Sequence, residues 1–75
     1  MATLPVCSGA EAVRAFERAG WATVRRKGSH VSLTKAASTV VLTVPMHAEL
    51  GRGLLRSLLR KAGISVDEFV AYLNR

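Results

Sequence analysis

Hydrophobic residues recur along this chain at two different spacings, and the changes between them predict its elements. Near the amino terminus the apolar residues fall on one face of a helix; they are Val13, Phe16 and Ala19. Ser8 followed by Glu11 forms a capping box in front of this stretch, and Gly20 suits the position just after its end. The pattern therefore predicts a first helix over residues 9–19.

The middle of the chain changes to the alternation that is typical of β-strands. Strands are predicted over residues 21–26, 30–34 and 39–44, and the last of these is the richest in β-branched residues. Short turns at 27–29 and 35–38 connect them. Strands joined by such short turns are expected to pair as an antiparallel sheet.

Helical spacing returns after a loop over residues 46–53. The apolar face of this second helix comprises Leu54, Leu55, Leu58, Leu59 and Ala62. Gly63 ends it, and Ser65 with Glu68 forms another capping box before a short carboxy-terminal helix. The predicted fold is α+β, in the order α-β-β-β-α plus that short helix, with the helices on one face of the sheet and residues 1–75 as a single domain.

Alternation also predicts which side chains share a face of the sheet. On the second strand Val31 and Leu33 point toward the helices, so His30 lies on the opposite, open face. Arg25 joins His30 on that face if Val24 is in the core. A histidine on a polar face is a better candidate for a catalytic group than one in a core. The alternative is that His30 is only a polar residue that fills the turn.

The charge of the chain favours a polyanionic partner. Eleven Lys and Arg residues against five Asp and Glu give a net charge of +6 and a pI near 10.8. Nucleic acid is the first candidate, followed by an anionic membrane surface and an acidic protein. The cations form two clusters, one of Arg25, Arg26 and Lys27, and one of Arg52, Arg56 and Arg60 at successive fourth positions of the second helix. The alternative for the second cluster is an ordinary solvated helix face.

Other classes of protein find little support. Cys7 is the only cysteine, so a disulfide within the chain and a cysteine-based zinc site are both excluded, which fits a reducing, cytoplasmic setting. No apolar run is long enough to span a bilayer, and no signal peptide is recognisable at the amino terminus. We expect no membrane partner and no metal.

Three stretches together resemble the HicA-type toxin family of toxin–antitoxin systems. They are AGWATVRRKGSHVSL, VLTVPMHAEL and GRGLLRSLLRKAGISVDEF, in the order the family has them. The resemblance implies a fold like the double-stranded-RNA-binding domain and an endoribonuclease that cleaves mRNA in the cytoplasm with no metal or other cofactor. It also implies a HicB-type antitoxin as partner, and it puts the family's catalytic histidine at His30. Val31 stands where relatives often have a histidine or an aromatic residue, and Leu54 stands where threonine is common.

The chemistry of RNA cleavage gives these residues roles. The 2′-hydroxyl of RNA is the nucleophile, and a histidine can move its proton near neutral pH. The hypothesis is that His30 is the general acid or base, with Lys27 and either Arg25 or Arg26 stabilising charge on the phosphate. Ser29 is a turn residue or a hydrogen-bond donor to phosphate. His47 is either a second acid or base or an ordinary loop residue.

The row formed by Arg52, Arg56 and Arg60 is predicted to bind RNA phosphates or the acidic side of the antitoxin. Two alternatives to the enzyme stay open. One is a non-catalytic RNA-binding module with the same charge, and the other is a protein-interaction domain whose basic face docks a partner.

Overall fold

A computed structural model describes residues 3–75 and confirms the predicted order of elements. The elements are α1 (Gly9–Arg18), β1 (Ala22–Lys27), β2 (His30–Thr34), β3 (Leu42–Pro45), α2 (Arg52–Ala62) and α3 (Val66–Leu73). The strands form one antiparallel sheet in the order β1-β2-β3, so β2 is central. The chain is α+β in the arrangement α-β-β-β-α with one further helix.

The helices cover only one face of this sheet. The side chains that the sheet buries beneath them are Val31, Leu33, Leu42 and Val44. Phe16 of α1 and Phe69 of α3 are fully buried and meet with ring centroids 5.4 Å apart, and α2 adds Leu55 to the same core. The opposite face carries the other half of the strand alternation, on which His30 and Thr43 are exposed, Ser32 is half-buried and Pro45 is buried.

Two helices begin as their capping boxes predict. The Ser8 hydroxyl accepts the Glu11 amide at 3.1 Å, and the Glu11 carboxylate accepts the Ser8 amide at 2.8 Å. Ser65 and Glu68 repeat the arrangement before α3 at 3.1 and 2.9 Å. At the end of α2, Gly63 takes the left-handed conformation that its place after the helix requires (φ 71°).

The third strand is shorter than predicted, because a turn occupies its expected beginning. The prediction of a strand over residues 39–44 is wrong at both ends, since β3 comprises Leu42–Pro45. The Val40 amide donates to the Ser38 hydroxyl at 3.1 Å, and Ala37 has a positive φ of 65°. β2 also ends at Thr34, and Leu33–Leu42 is the last pair between β2 and β3. The residues before Leu42 therefore have no strand with which to pair.

The ends of the other elements differ less from the prediction. β1 begins one residue after Trp21, whose amide is held by the Phe16 carbonyl at the end of α1. The second helix begins at Arg52, within the stretch predicted as loop. Leu54, expected on its apolar face, is 37% exposed and stays outside the core.

Candidate functional site

A two-residue turn fixes the position of His30. Gly28 and Ser29 connect β1 to β2, and Lys27 pairs directly with His30 across the hairpin. Gly28 has a positive φ of 58°, which two-residue hairpin turns require at their first central position. Lys27, which the sequence assigned to the turn, is therefore the last residue of the strand. Residues that pair across antiparallel strands project to the same face, so Lys27 stands beside His30.

The open face of the sheet places Arg25 one step along the hairpin from this pair. Arg25 pairs with Ser32, which lies two residues from His30 on β2 and thus on the same face. The two pairs border a shallow depression of about 550 Å³, lined by Arg25, Lys27, Gly28, Ser29, His30 and Ser32. The structure therefore brings together four of the side chains that the sequence singled out, namely those of Arg25, Lys27, Ser29 and His30.

Arg26 is directed away from this depression. It pairs with Val31, whose side chain is buried under the helices, so Arg26 lies on the helix-side face at the exposed edge of the sheet. Of the two arginines that the sequence left open as partners of His30, the geometry favours Arg25. Arg25 and Arg26 carry the same charge on the same strand and differ in the face they occupy.

Arg25 lies on the predicted face of the sheet, but the reason for which it was expected there is wrong. Val24 is 59% exposed rather than in the core. A β-bulge between Thr23 and Arg25 makes Val24 the extra residue and puts Thr23 opposite Leu33. Arg25 reaches the open face because the hairpin turn sets the register from Lys27 and His30 onward.

The three strands carry no negatively charged side chain of their own, and the Glu17 carboxylate of α1 accepts a hydrogen bond from the Thr23 hydroxyl of β1 at 3.0 Å. The stretch from β1 to the end of β3 contains no Asp or Glu, and the five acidic residues all lie in helices or in the loop before α2. Three cations and a histidine therefore share the hairpin without a carboxylate on any of the three strands. Such a surface attracts anions, above all phosphate groups.

His47 lies close to the site along the backbone but outside the depression. β3 ends at Pro45, the cross-strand partner of His30, and the Met46 amide donates to the Ser29 carbonyl at 2.6 Å. Two residues beyond Pro45, the His47 carbonyl accepts the Gly9 amide at 2.9 Å, and its side chain is exposed. His47 is thus anchored by α1 and is not among the side chains that line the depression.

The arginines of α2 lie in a different part of the molecule. Arg52 and Arg56 border a second depression of about 490 Å³, together with Thr3, Leu4, Ser65, Val66 and Asp67. Arg60 is exposed on the same helix. Because α2 belongs to the helical layer and His30 to the bare face of the sheet, the structure does not bring this row and His30 into one pocket.

Two polar residues of the open face were not named as site residues from the sequence. Ser32 lines the depression, and Thr43 pairs with Ser32 from β3. The alternation that placed His30 on this face also places both hydroxyls there, so the signal was present in the sequence. What alternation alone does not give is the register between strands, which makes Ser32 and Thr43 neighbours.

The remaining candidate features give no second site. Among residues 3–75, no group of three or more His, Cys, Asp or Glu side chains is placed to hold a metal ion. No helix in that range is long and apolar enough to cross a membrane. Cys7 is buried, and its burial, followed by the negative charge of Glu11, raises the pKa of its thiol.

Comparison with protein-family models agrees with the resemblance in the sequence, whereas a search of curated proteins gives no match. The family model described as HicA toxin of bacterial toxin–antitoxin matches residues 9–64, which is 56 of the 75 residues. The match begins at the first residue of α1, includes the whole sheet with its hairpin, and ends just after α2. The chain therefore belongs to the HicA toxin family of bacterial toxin–antitoxin systems.

Proposed function

We propose that this toxin is an endoribonuclease that cleaves mRNA, with His30 as its catalytic acid or base. Family membership already implies a toxin with an antitoxin partner and an RNA target. The observation that carries the finer proposal is the pairing of Lys27 with His30 on the bare face of the sheet. An exposed imidazole next to a cation, on strands that carry no Asp or Glu, suits catalysis on a phosphodiester.

The proposed reaction uses the nucleophile that RNA itself carries. A base takes the proton of the 2′-hydroxyl while the 2′-oxygen attacks phosphorus, and the bond from phosphorus to the 5′-oxygen breaks. The departing 5′-oxygen receives a proton from an acid. The products are a 2′,3′-cyclic phosphate and a 5′-hydroxyl, and the reaction consumes neither a metal nor any other cofactor.

His30 performs one of the two proton transfers in this proposal. Lys27 stabilises the negative charge that develops on the oxygens of the reacting phosphate, Arg25 adds positive charge from the next pair on the same face, and Ser29 donates a hydrogen bond to phosphate from the turn. His47 is the candidate for the other proton transfer, because the backbone holds it two residues beyond Pro45, the partner of His30. A HicB-type antitoxin would inhibit the toxin by covering the depression around His30.

Expression of the toxin in bacteria tests this proposal. Wild-type protein is expected to arrest growth and to leave RNA fragments that end in 2′,3′-cyclic phosphate. His30→Ala is expected to abolish both effects, while co-expression of the cognate antitoxin is expected to restore growth. Arg26→Ala provides a control on the same hairpin that leaves the open face intact.

The same experiment separates the alternatives. A non-catalytic RNA-binding module would bind RNA in both wild-type and His30→Ala forms and yield cyclic phosphate ends in neither. A protein-interaction domain would show little affinity for RNA at moderate salt. If purified His30→Ala protein cleaved RNA as fast as the wild type, the assignment of His30 would be wrong.

A further inference from the structure

The register of the sheet creates a second polar row beside the proposed catalytic one. Arg25 on β1 pairs with Ser32 on β2, which pairs with Thr43 on β3. The neighbouring row consists of Lys27, His30 and Pro45, in the same strand order. Adjacent strands lie about 4.8 Å apart, so the three side chains of each row are direct neighbours, and Pro45 is the only one of the six that is buried.

The two rows are close enough to bind the same strand of nucleic acid. Two residues along a β-strand advance about 6.7 Å, which separates Ser32 from His30 and Arg25 from Lys27. The Arg25–Ser32 pair and the Lys27–His30 pair line a single depression, and Thr43 lies beside Ser32 outside that lining. A phosphodiester bound at His30 would put the next phosphate of the chain near the second row.

The chemistry of the second row suits phosphate. A guanidinium presents several N–H donors in a fixed plane, and the two hydroxyls of Ser32 and Thr43 each donate one further hydrogen bond. Such side chains provide most contacts from proteins to nucleic-acid backbones. Arg25 and Thr43 are exposed and Ser32 is half-buried, so a ligand can reach all three. No carboxylate on these strands competes for the guanidinium.

We propose that Arg25, Ser32 and Thr43 form a second phosphate-binding subsite, which holds single-stranded RNA across the open face of the sheet with an adjacent phosphate at His30. This inference rests on the proposed ribonuclease function for its ligand. It adds that the sheet face itself supports the RNA strand. It also assigns binding roles to Ser32 and Thr43.

Binding to a 2′-O-methyl oligouridylate tests the subsite without depending on catalysis, because this RNA analogue lacks the 2′-hydroxyl nucleophile. Affinity is measured by fluorescence anisotropy over a range of salt concentrations. The logarithm of the binding constant falls linearly with the logarithm of the salt concentration. Arg25→Gln is expected to make this slope less steep by about 0.7, the contribution of one phosphate contact on a single strand. Arg26→Gln removes the same charge from the other face and is expected to leave that slope almost unchanged.

The two hydroxyl positions provide an independent measurement. Ser32→Ala and Thr43→Val are expected to weaken binding about three- to tenfold with an unchanged salt slope, since neither side chain carries charge. Thr39→Val, in the exposed turn before β3, is the matched control and is expected to bind like wild type. Arg25→Lys keeps the charge and is expected to keep the slope, which separates loss of a phosphate contact from loss of folding.

Failure of this inference and failure of the ribonuclease proposal give different results. Equal slopes for wild type and Arg25→Gln, or equal losses for Arg25→Gln and Arg26→Gln, would overturn the subsite even if the protein cleaves RNA. The expected slope changes in a protein that cleaves no RNA would support the subsite and refute the enzyme.

Discussion

Lys27 and His30 pair directly across the β1–β2 hairpin, as the last residues of the two strands before a two-residue turn. Directly paired residues have Cβ atoms about 5 Å apart, so an ammonium group and an imidazole can contact the same small anion. The turn enforces this relationship, because a different loop length would change the register and could move one side chain to the other face. The position of the proposed catalytic group thus depends on Gly28 and Ser29 as much as on His30 itself.

The first prediction compares two neighbouring cations on opposite faces. Lys27→Ala is expected to reduce the rate of RNA cleavage by about tenfold or more, since one charge-assisted hydrogen bond contributes at least about 1.5 kcal/mol. Arg26→Ala removes an equal charge at the position opposite Val31 and is expected to reduce the rate much less. Initial rates on a fluorescent RNA substrate, measured at one salt concentration, make the comparison.

General electrostatic attraction would give a different result. If the total positive charge of the hairpin governs activity, both variants lose activity to the same extent and added salt removes the difference from wild type. Equal losses would therefore contradict a specific role for Lys27. A circular dichroism spectrum of each variant controls for folding.

The second prediction concerns the turn. Gly28 has a φ of 58°, and a side chain there has open space around it but an unfavourable backbone conformation. Gly28→Ala is expected to destabilise the protein by about 1–2 kcal/mol, the cost of the left-handed region for an L-residue. Urea unfolding of both proteins measures this difference in the free energy of unfolding. Gly28→Asn is expected to lose less stability, because asparagine tolerates positive φ better than alanine does. Equal stability of wild type and Gly28→Ala would contradict the role of the turn.

Alternation was sufficient to predict much of this site from the sequence. The buried pair Val31 and Leu33 fixed the orientation of β2, and His30 followed from it. The capping boxes fixed the beginnings of α1 and α3 because their signal is local. The general arrangement of helices and strands needs no more than these short-range patterns.

The rest depends on hydrogen bonds between segments, which periodicity does not describe. Val24 is exposed, although the alternation allowed it a place in the core, because a bulge makes it an extra residue of β1 with no partner on β2. Val41, expected within the third strand, precedes β3, because β2 has already ended at Thr34. The separation of α2 from the bare face of the sheet is likewise a property of packing, and it divides two arginine clusters that look equivalent in the sequence.

The third prediction concerns the contact between α1 and the end of β3. Gly9 is buried, and a Cβ there would overlap the Pro45 carbonyl oxygen and lie 2.9 Å from the Met46 Cα. Both neighbours are backbone atoms, so they cannot move aside as a flexible side chain would. Gly9→Ala is expected to destabilise the protein by about 1–3 kcal/mol.

Gly53 provides the matched control for this variant. It lies in the first turn of α2 with open space around it, so Gly53→Ala is expected to be neutral or to stabilise by up to about 1 kcal/mol. Thermal unfolding of the two variants side by side distinguishes steric overlap from a general effect of replacing glycine. Similar melting temperatures would contradict the close approach of Gly9 to Pro45.

The fourth prediction concerns the only cysteine. Cys7 is 3% exposed, and its raised pKa reduces the thiolate fraction at neutral pH. The native protein is expected to react with a thiol reagent at least about 100-fold more slowly than the protein in urea, because reaction requires local opening. Rapid labelling of the folded protein would show that the segment before α1 does not cover the thiol. Free cysteine at the same pH controls for the reagent.

The last prediction follows from the capping box of α1. Hydrogen bonds from the Ser8 amide and then the Ser8 hydroxyl lower the pKa of Glu11 below its ordinary value of 4.5, and the charge of Arg14 acts in the same direction. A carboxyl group with a lowered pKa in the folded state contributes stability above its unfolded pKa. That contribution is lost as pH falls through the folded pKa.

Glu11→Gln keeps a side chain that can complete the capping box and removes only the charge. The variant is therefore expected to be less stable than wild type at pH 7, with a difference that shrinks as the pH falls below 4.5. Urea midpoints across that range measure the effect. Glu49→Gln, which removes an exposed loop carboxylate, is expected to show a smaller change than Glu11→Gln, and equal behaviour of the two variants would argue against the capping box as the cause.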